Sequence, residues 1–117
     1  MSDNNEKFMF KGDSRTFRIT VTDSNGSVVN ITDGDMTFTM KSIATDIVPI
    51  LQKKSTVPGE IVFVDPTHGI AEIYILPDDT ESLTAKSYVF DVEFITSTDK
   101  VYTVYVGTLT LQQDVTN

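Results

Sequence analysis

Tyr88-Val89-Phe90-Asp91-Val92-Glu93-Phe94-Ile95 is the stretch that decides the fold of this chain. Three aromatic side chains and Val92 occupy every second position, and Asp91 and Glu93 lie between them. Because successive side chains of a β-strand point to opposite faces, this period of two predicts a strand with one apolar and one acidic face. Such a strand covers a core on one side and meets water on the other. The rest of the chain must supply the other walls of that core.

The composition favours an all-β domain. Thr, Val and Ile make up 40 of the 117 residues, whereas Ala occurs three times. This excess of β-branched side chains favours strands and disfavours helices. The length is that of one domain, with residues 1–6 predicted to be a disordered tail and residues 7–117 a single β-sandwich. The chain has no cysteine, so it has no disulfide or thiolate metal site and suits a reducing compartment.

Other segments of the chain also alternate apolar and polar residues, and turns rich in Gly, Asp and Asn separate them. The pattern predicts an antiparallel two-sheet sandwich of seven to eight strands with no long helix. Its core should contain Phe17, Ile19, Phe38, Met40, Ile73, Phe90, Val92 and Val104. The predicted strands are Lys7–Lys11, Arg15–Asp23, Met36–Ser42, Glu60–Val64, Ile70–Leu76, Tyr88–Ile95 and Val101–Val115, with a looser segment at Val28–Ile31 and an exposed loop at Lys53–Gly59.

The last strand changes phase along its length. Tyr102, Val104 and Val106 share one parity, but Leu109 and Leu111 have the other. A β-bulge adds one residue to a strand and would bring both sets to the core side. We therefore predict a bulge at Gly107.

One apolar segment does not fit the core pattern. Ile47, Val48, Ile50 and Leu51 surround Pro49, which limits the segment to an edge strand. A free loop does not need so many apolar side chains, so they either fold back on the core or form a contact for a partner. The sequence thus offers Ile47, Val48, Ile50 and Leu51 as a candidate interaction edge.

Candidate catalytic and metal-binding residues are few. His68 lies at a hairpin tip without a second His or a Cys, which is typical of a solvated turn residue. Asp91 and Glu93 are paired carboxylates, as in glycosidases, but the outer face of a sheet also explains them. Two acidic turns could offer oxygens to Ca²⁺, although turn formation and helix capping explain both equally well; they are Asp33-Gly34-Asp35 and Pro77-Asp78-Asp79. We therefore predict no catalytic residue, no metal and no cofactor.

The net charge and the hydropathy of the chain argue against nucleic acid and membranes as binding partners. A net charge of −8 repels phosphate backbones, so nucleic-acid binding is not expected. No apolar run is as long as a membrane span, and the polar start Met1–Glu6 is not a signal peptide, so no membrane association is predicted.

Tyr88 follows a short corner, Leu83–Ser87. This is the layout of a tyrosine corner, in which the tyrosine hydroxyl forms a hydrogen bond with the backbone a few residues upstream.

The order of these motifs resembles the N-terminal immunoglobulin-like domain of phage baseplate upper proteins and related small tail proteins of phages and prophages of Gram-positive bacteria. The likeness extends from about Phe8 to Val115. It is carried by Lys11-Gly12-Asp13-Ser14, Val21-Thr22-Asp23-Ser24-Asn25-Gly26, Val29-Asn30-Ile31-Thr32, Asp65-Pro66-Thr67-His68-Gly69-Ile70-Ala71, Leu76-Pro77-Asp78-Asp79-Thr80, Tyr88-Val89-Phe90-Asp91-Val92 and Gly107-Thr108-Leu109-Thr110-Leu111.

The resemblance implies a virion structural module, assembled in the host cytoplasm, without catalysis or cofactor. Its partners would be other tail or baseplate proteins, or a second copy of the chain. The alternative is a carbohydrate-binding or host-surface adhesion module, which needs a platform of exposed aromatic rings. Tyr74 and Tyr105 are the only aromatic side chains that we predict to face outward. A small hydrolase is a third class, but no nucleophile–base arrangement is present.

Overall fold

The structure is a computed structural model that describes residues 6–113 of the chain. Of the predicted tail only Glu6 falls within this range, where it begins the first strand. The described residues form eight strands, one short helix and one turn of 3-10 helix: β1 (Glu6–Phe10), β2 (Arg15–Thr20), β3 (Asp35–Lys41), β4 (Leu51–Lys54), β5 (Ile61–Asp65), the 3-10 turn (Pro66–His68), β6 (Ile70–Ile75), α1 (Pro77–Thr80), β7 (Ser87–Ile95) and β8 (Val101–Gln112).

The strands form two sheets. The large sheet has the order β1-β8-β7-β3-β4, and the small sheet has the order β2-β6-β5. The all-β prediction is confirmed. The antiparallel prediction is wrong for one pair, because β1 runs parallel to β8. A parallel neighbour cannot follow through a hairpin, and here the two paired strands are the first and the last of the described chain.

The strand β7 has the two faces that its sequence predicts. Tyr88, Phe90, Val92 and Phe94 are buried, whereas Asp91 and Glu93 lie on the outer face. Of the predicted core, every residue is buried except Val104, which is half-buried.

Phe90 lies at the centre of an aromatic cluster that joins the two sheets. Its ring is stacked between Phe17 of the small sheet, at 6.2 Å, and Tyr105 of β8, at 5.7 Å between centroids. Phe38 of β3 lies 5.2 Å away at a tilt of 39°. Offset and tilted pairs of this kind contribute beyond their buried area. The Phe17–Phe90 stack therefore joins the two sheets, while Phe38 and Tyr105 hold the Phe90 ring from within the large sheet.

A bulge in β8 corrects the phase of the last strand, as predicted, but at another position. Val92 pairs with Tyr105 while Glu93 pairs with Thr103, so Val104 is the additional residue.

Because of this position, several face assignments in β8 are wrong. Gly107, the predicted site of the bulge, lies in regular pairing with Phe90. Tyr105 was expected to face outward and instead stacks on Phe90. Val106 was expected to face inward and is 57% exposed. With the additional residue at Val104, the side chain of Tyr105 points to the inner face of the sheet, where its ring stacks on Phe90.

Among three further local segments, the loop predicted at Lys53–Gly59 needs correction. The looser segment at Val28–Ile31 forms no strand, although Ile31 is fully buried and Val28 makes one bridge to Thr22. The loop predicted at Lys53–Gly59 is wrong at its start, because Lys53 and Lys54 belong to β4 and Lys53 is 4% exposed. In the first strand it is Met9 that is buried; its two aromatic neighbours face outward.

The tyrosine corner is present. The hydroxyl of Tyr88 donates a hydrogen bond of 2.7 Å to the carbonyl oxygen of Thr84. The helix α1 and residues 81–86 form the corner between the sheets, and Leu83 packs there against the core. Burial raises the pKa of the Tyr88 phenol.

Phe90→Ala should lower the free energy of unfolding by about 3–5 kcal/mol, because it removes a buried ring from both stacks. Phe8→Ala is the matched control, since Phe8 is 50% exposed on β1 and should cost less than about 1 kcal/mol. Urea unfolding followed by circular dichroism measures both. Equal losses would contradict the central position of Phe90.

Tyr88→Phe should lower the free energy of unfolding by about 0.5–1.5 kcal/mol, because it leaves the Thr84 carbonyl without its donor. In the unmutated protein the Tyr88 phenol should ionise above its ordinary pKa of 10.0. A raised pKa in the folded state means that its contribution to stability is complete below the unfolded pKa and is lost as pH rises. The difference in phenolate absorbance between the unmutated protein and Tyr88→Phe isolates the ionisation of Tyr88, and a pKa at or below 10.0 would contradict the prediction.

Candidate functional site

Residues 43–50, here called the β3–β4 segment, join two strands of the large sheet without forming a strand. In the first half of the segment, the carboxylate of Asp46 accepts a hydrogen bond of 3.3 Å from the backbone N–H of Ile43, which closes a turn. The second half returns to the sheet where Ile50 N–H donates to the Met40 carbonyl at 2.8 Å. Between these two points the side chains of Ile47 and Val48 are 92% and 74% exposed.

The four residues of the predicted interaction edge thus divide into two groups. Ile47, Val48 and Ile50 are exposed, while Leu51 begins β4 and packs against the core. The strand β4 is an edge of the large sheet. The exposed apolar side chains therefore lie next to a sheet edge.

A groove lies between the β3–β4 segment and the outer face of the large sheet. Its volume is about 470 Å³. A smaller depression of about 100 Å³ adjoins this groove, and the two share the lining residues Thr39, Lys41 and Asp91. We call the larger one the outer groove; it is lined by Thr39, Lys41, Ile47, Pro49, Gln52, Asp91 and Glu93.

The outer groove brings together two sequence candidates that are distant in the chain. Ile47 of the predicted edge forms one wall, and the paired carboxylates Asp91 and Glu93 of β7 form part of the floor. The two carboxylates lie side by side on one strand, whereas glycosidase carboxylates flank the scissile bond. Neither forms an ion pair with another residue in the range 6–113. The groove thus combines apolar surface with free acceptors, which suits contact with a protein surface.

The imidazole of His68 contacts Asp65 and, at 3.4 Å, the hydroxyl of Thr67. Its Nδ1 lies 3.0 Å from the nearer carboxylate oxygen of Asp65, and both side chains are largely exposed. The hydrogen bond with His68 holds the pKa of the Asp65 carboxyl below its ordinary value. The pair closes the turn between β5 and β6. Within the described part of the chain, no group of three His, Asp or Glu side chains is placed to hold a metal ion.

The two acidic turns have structural roles. Asp33 adopts a left-handed conformation with φ of 68°, which Asp tolerates in turns. At the other turn, a carboxylate oxygen of Asp79 accepts a hydrogen bond of 2.7 Å from Leu76 N–H. The same oxygen lies 2.7 Å from the Nζ of Lys53.

The Lys53–Asp79 ion pair is the feature that sequence reasoning missed. Lys53 lies on the inner face of β4, beside Phe38 in the pairing with β3. Asp79 lies in α1, which follows the last strand of the small sheet. The pair therefore ties the edge of the large sheet to the corner after the small one. Alternation within β4 places Lys53 with Leu51, but nothing in the sequence connects Lys53 to Asp79.

Comparison with known proteins does not assign the chain to a group: no family model matches it, and neither does any curated protein. Among residues 6–113 there is no helix with the length and apolar character that a membrane crossing requires.

Lys53→Met should destabilise the protein by about 2–4 kcal/mol, because it leaves the Asp79 carboxylate largely buried without its cation. Lys54→Met is the matched control: Lys54 is the next residue, its side chain is exposed, and its replacement should change stability by less than about 0.5 kcal/mol. Thermal and urea unfolding measure the difference. Equal effects at the two positions would show that the pair does not stabilise the fold.

Proposed function

We propose that this protein is a non-catalytic virion structural module of a phage or prophage, a tail or baseplate component that works through protein–protein contacts. The observation that carries the proposal is the exposure of Ile47 and Val48 beside the outer groove. Isolated exposed apolar residues are ordinary, but adjacent ones above a groove are typical of an interaction surface. The sequence resemblance to baseplate upper proteins supplies the class of assembly.

The finer part of the proposal is an immunoglobulin-like fold. The small sheet β2-β6-β5 has the order of strands B, E and D, and β8-β7-β3-β4 has the order of G, F, C and C′. The hydroxyl of Tyr88 bonds to backbone at the start of β7, which corresponds to strand F. In immunoglobulin domains the tyrosine corner occupies this same place. Strand order and corner together support the assignment.

The partner would be either another tail protein or a second copy of the chain. The net charge of −8 opposes contact between copies, and salt weakens this repulsion. Self-association through the outer groove should therefore increase with ionic strength, whereas binding to a basic partner should decrease.

The alternative function, a carbohydrate-binding or adhesion module, has less support. Tyr105 is half-buried against the core, with its ring stacked on Phe90, so it does not stand out from an exposed face as a platform residue would. Tyr74 lies on the small sheet, half-buried, and its hydroxyl donates to Glu72 at 2.8 Å. No Tyr or Trp side chain lines the outer groove within the described residues.

Mass spectrometry of purified virions tests the class of protein. The chain should be found in particles released from the producing bacterium, in proportion to other tail proteins. Its absence from intact virions, while it is present in the infected cell, would contradict a structural role.

Ile47→Asp tests the surface. It should reduce incorporation into virions severalfold in a complementation assay, because a carboxylate would be desolvated at the contact. Val28→Asp is the control, since Val28 is also exposed but lies in the connection between β2 and β3, and it should not affect incorporation. Light scattering across salt concentrations shows whether a second copy is the partner. Normal incorporation of Ile47→Asp would exclude this surface.

A further inference from the structure

The strand β2 has an open backbone edge. The Tyr74 N–H bonds to Glu60 and the Val21 N–H bonds to Gly69. By the alternation of an antiparallel ladder, the odd-numbered residues of β2 bond to β6, and the N–H and C=O groups of Thr16, Arg18 and Thr20 point away from it. In the described range, no residue forms a hydrogen bond with the backbone of these three.

The other three sheet edges each carry a feature that limits strand addition. The strand β5 is bulged next to Phe63 and ends before Pro66. The strand β4 has four residues, and the N–H of Lys54 is taken by the Glu60 carboxylate at 2.8 Å. On β1, the Phe8 carbonyl accepts a hydrogen bond of 2.6 Å from the Arg15 guanidinium.

In contrast, β2 is regular. Its six residues pair with β6 without a register shift and contain no proline. Among the described strands it is therefore the edge best prepared to accept another strand.

An apolar crevice of about 130 Å³ runs along this edge, between the two sheets. Consecutive residues of β2, 15–19, line one side of it, as expected if the crevice follows the free backbone. Its floor includes the stacked rings of Phe17, Phe90 and Tyr105. For scale, a cavity of about 150 Å³ in another protein binds benzene. The crevice can therefore hold one leucine-sized or aromatic side chain.

Positive charge surrounds this crevice in an acidic protein. Lys7, Arg15 and Arg18 line it, and no Asp or Glu does. The Lys7 ammonium lies 5.5 Å from the centre of the Tyr105 ring, and the Arg15 guanidinium lies 5.1 Å from that of Phe17. None of the three forms an ion pair with a residue in the range 6–113. An anionic occupant is the one that this lining favours.

We propose that the free edge of β2 and the crevice beside it form a binding site for an extended, acidic segment of a partner protein. The segment would pair with the backbone of Thr16, Arg18 and Thr20 and extend the small sheet by one strand. One of its apolar side chains would enter the crevice, and its carboxylates would contact Arg18, Lys7 and Arg15. The site is separate from the outer groove and does not depend on the virion proposal.

A second copy of the chain is a poorer occupant of the same edge. Antiparallel pairing of two β2 strands about their centre would place Arg18 near Arg18 of the copy, and like charges directly opposite are destabilising. Dimerisation through β2 is thus one outcome that would contradict an acidic partner.

The test uses a capped peptide of the length of β2 in which leucine alternates with glutamate, added to the ¹⁵N-labelled full chain. The amide signals of Thr16, Arg18 and Thr20 should shift in a saturable manner and become protected from hydrogen exchange. A peptide that alternates leucine with lysine has the same strand period and should bind at least about tenfold more weakly. Equal binding of the two peptides, shifts confined to another edge, or no shift at millimolar peptide would each overturn the proposal.

Two variants identify the contacts. Thr16→Pro removes an N–H that points away from β6, so it keeps the ladder but should abolish peptide binding. Arg18→Glu should weaken binding of the glutamate peptide about tenfold. Lys100→Glu makes the same change of charge in the exposed turn before β8 and should change affinity less than about twofold. If Thr16→Pro fails to fold, the comparison of Arg18→Glu with Lys100→Glu still decides, since equal effects would overturn the proposal.

Discussion

The stacking of Phe90 between Phe17 and Tyr105 is the interaction on which the rest of the structure depends. A two-sheet domain needs side chains that reach from one sheet to the other, because each sheet alone leaves an apolar face in water. Phe90 lies on β7, the middle strand of the large sheet, and its ring reaches Phe17 of the small sheet. The edges of both sheets are then free to differ in length and in what they expose.

The bulge at Val104 follows from the same constraint. Without the additional residue, the ring of Tyr105 would face water, and Leu109 and Leu111 could not be buried together with Tyr102. The bulge also turns Val106 outward, where it lines the depression next to the outer groove. The packing of the core thus decides part of the surface that we propose for assembly.

The two proposed surfaces lie at different edges and have opposite character. The outer groove offers apolar side chains beside the carboxylates of Asp91 and Glu93 on the large sheet. The crevice beside β2 offers aromatic rings beside Lys7, Arg15 and Arg18. On these two proposals, a domain with an acidic contact surface at one edge and a basic one at another can join two different partners.

The sequence by itself determined the all-β class, the two faces of β7 and the tyrosine corner. These features depend on local alternation, composition and short-range spacing, which are visible in one dimension. Tertiary structure alone decided three others: that Met9 rather than Phe8 faces the core, that the bulge lies at Val104, and that Lys53 is buried against Asp79. In each case the local pattern allows two arrangements, and the choice is made by a partner distant in the chain.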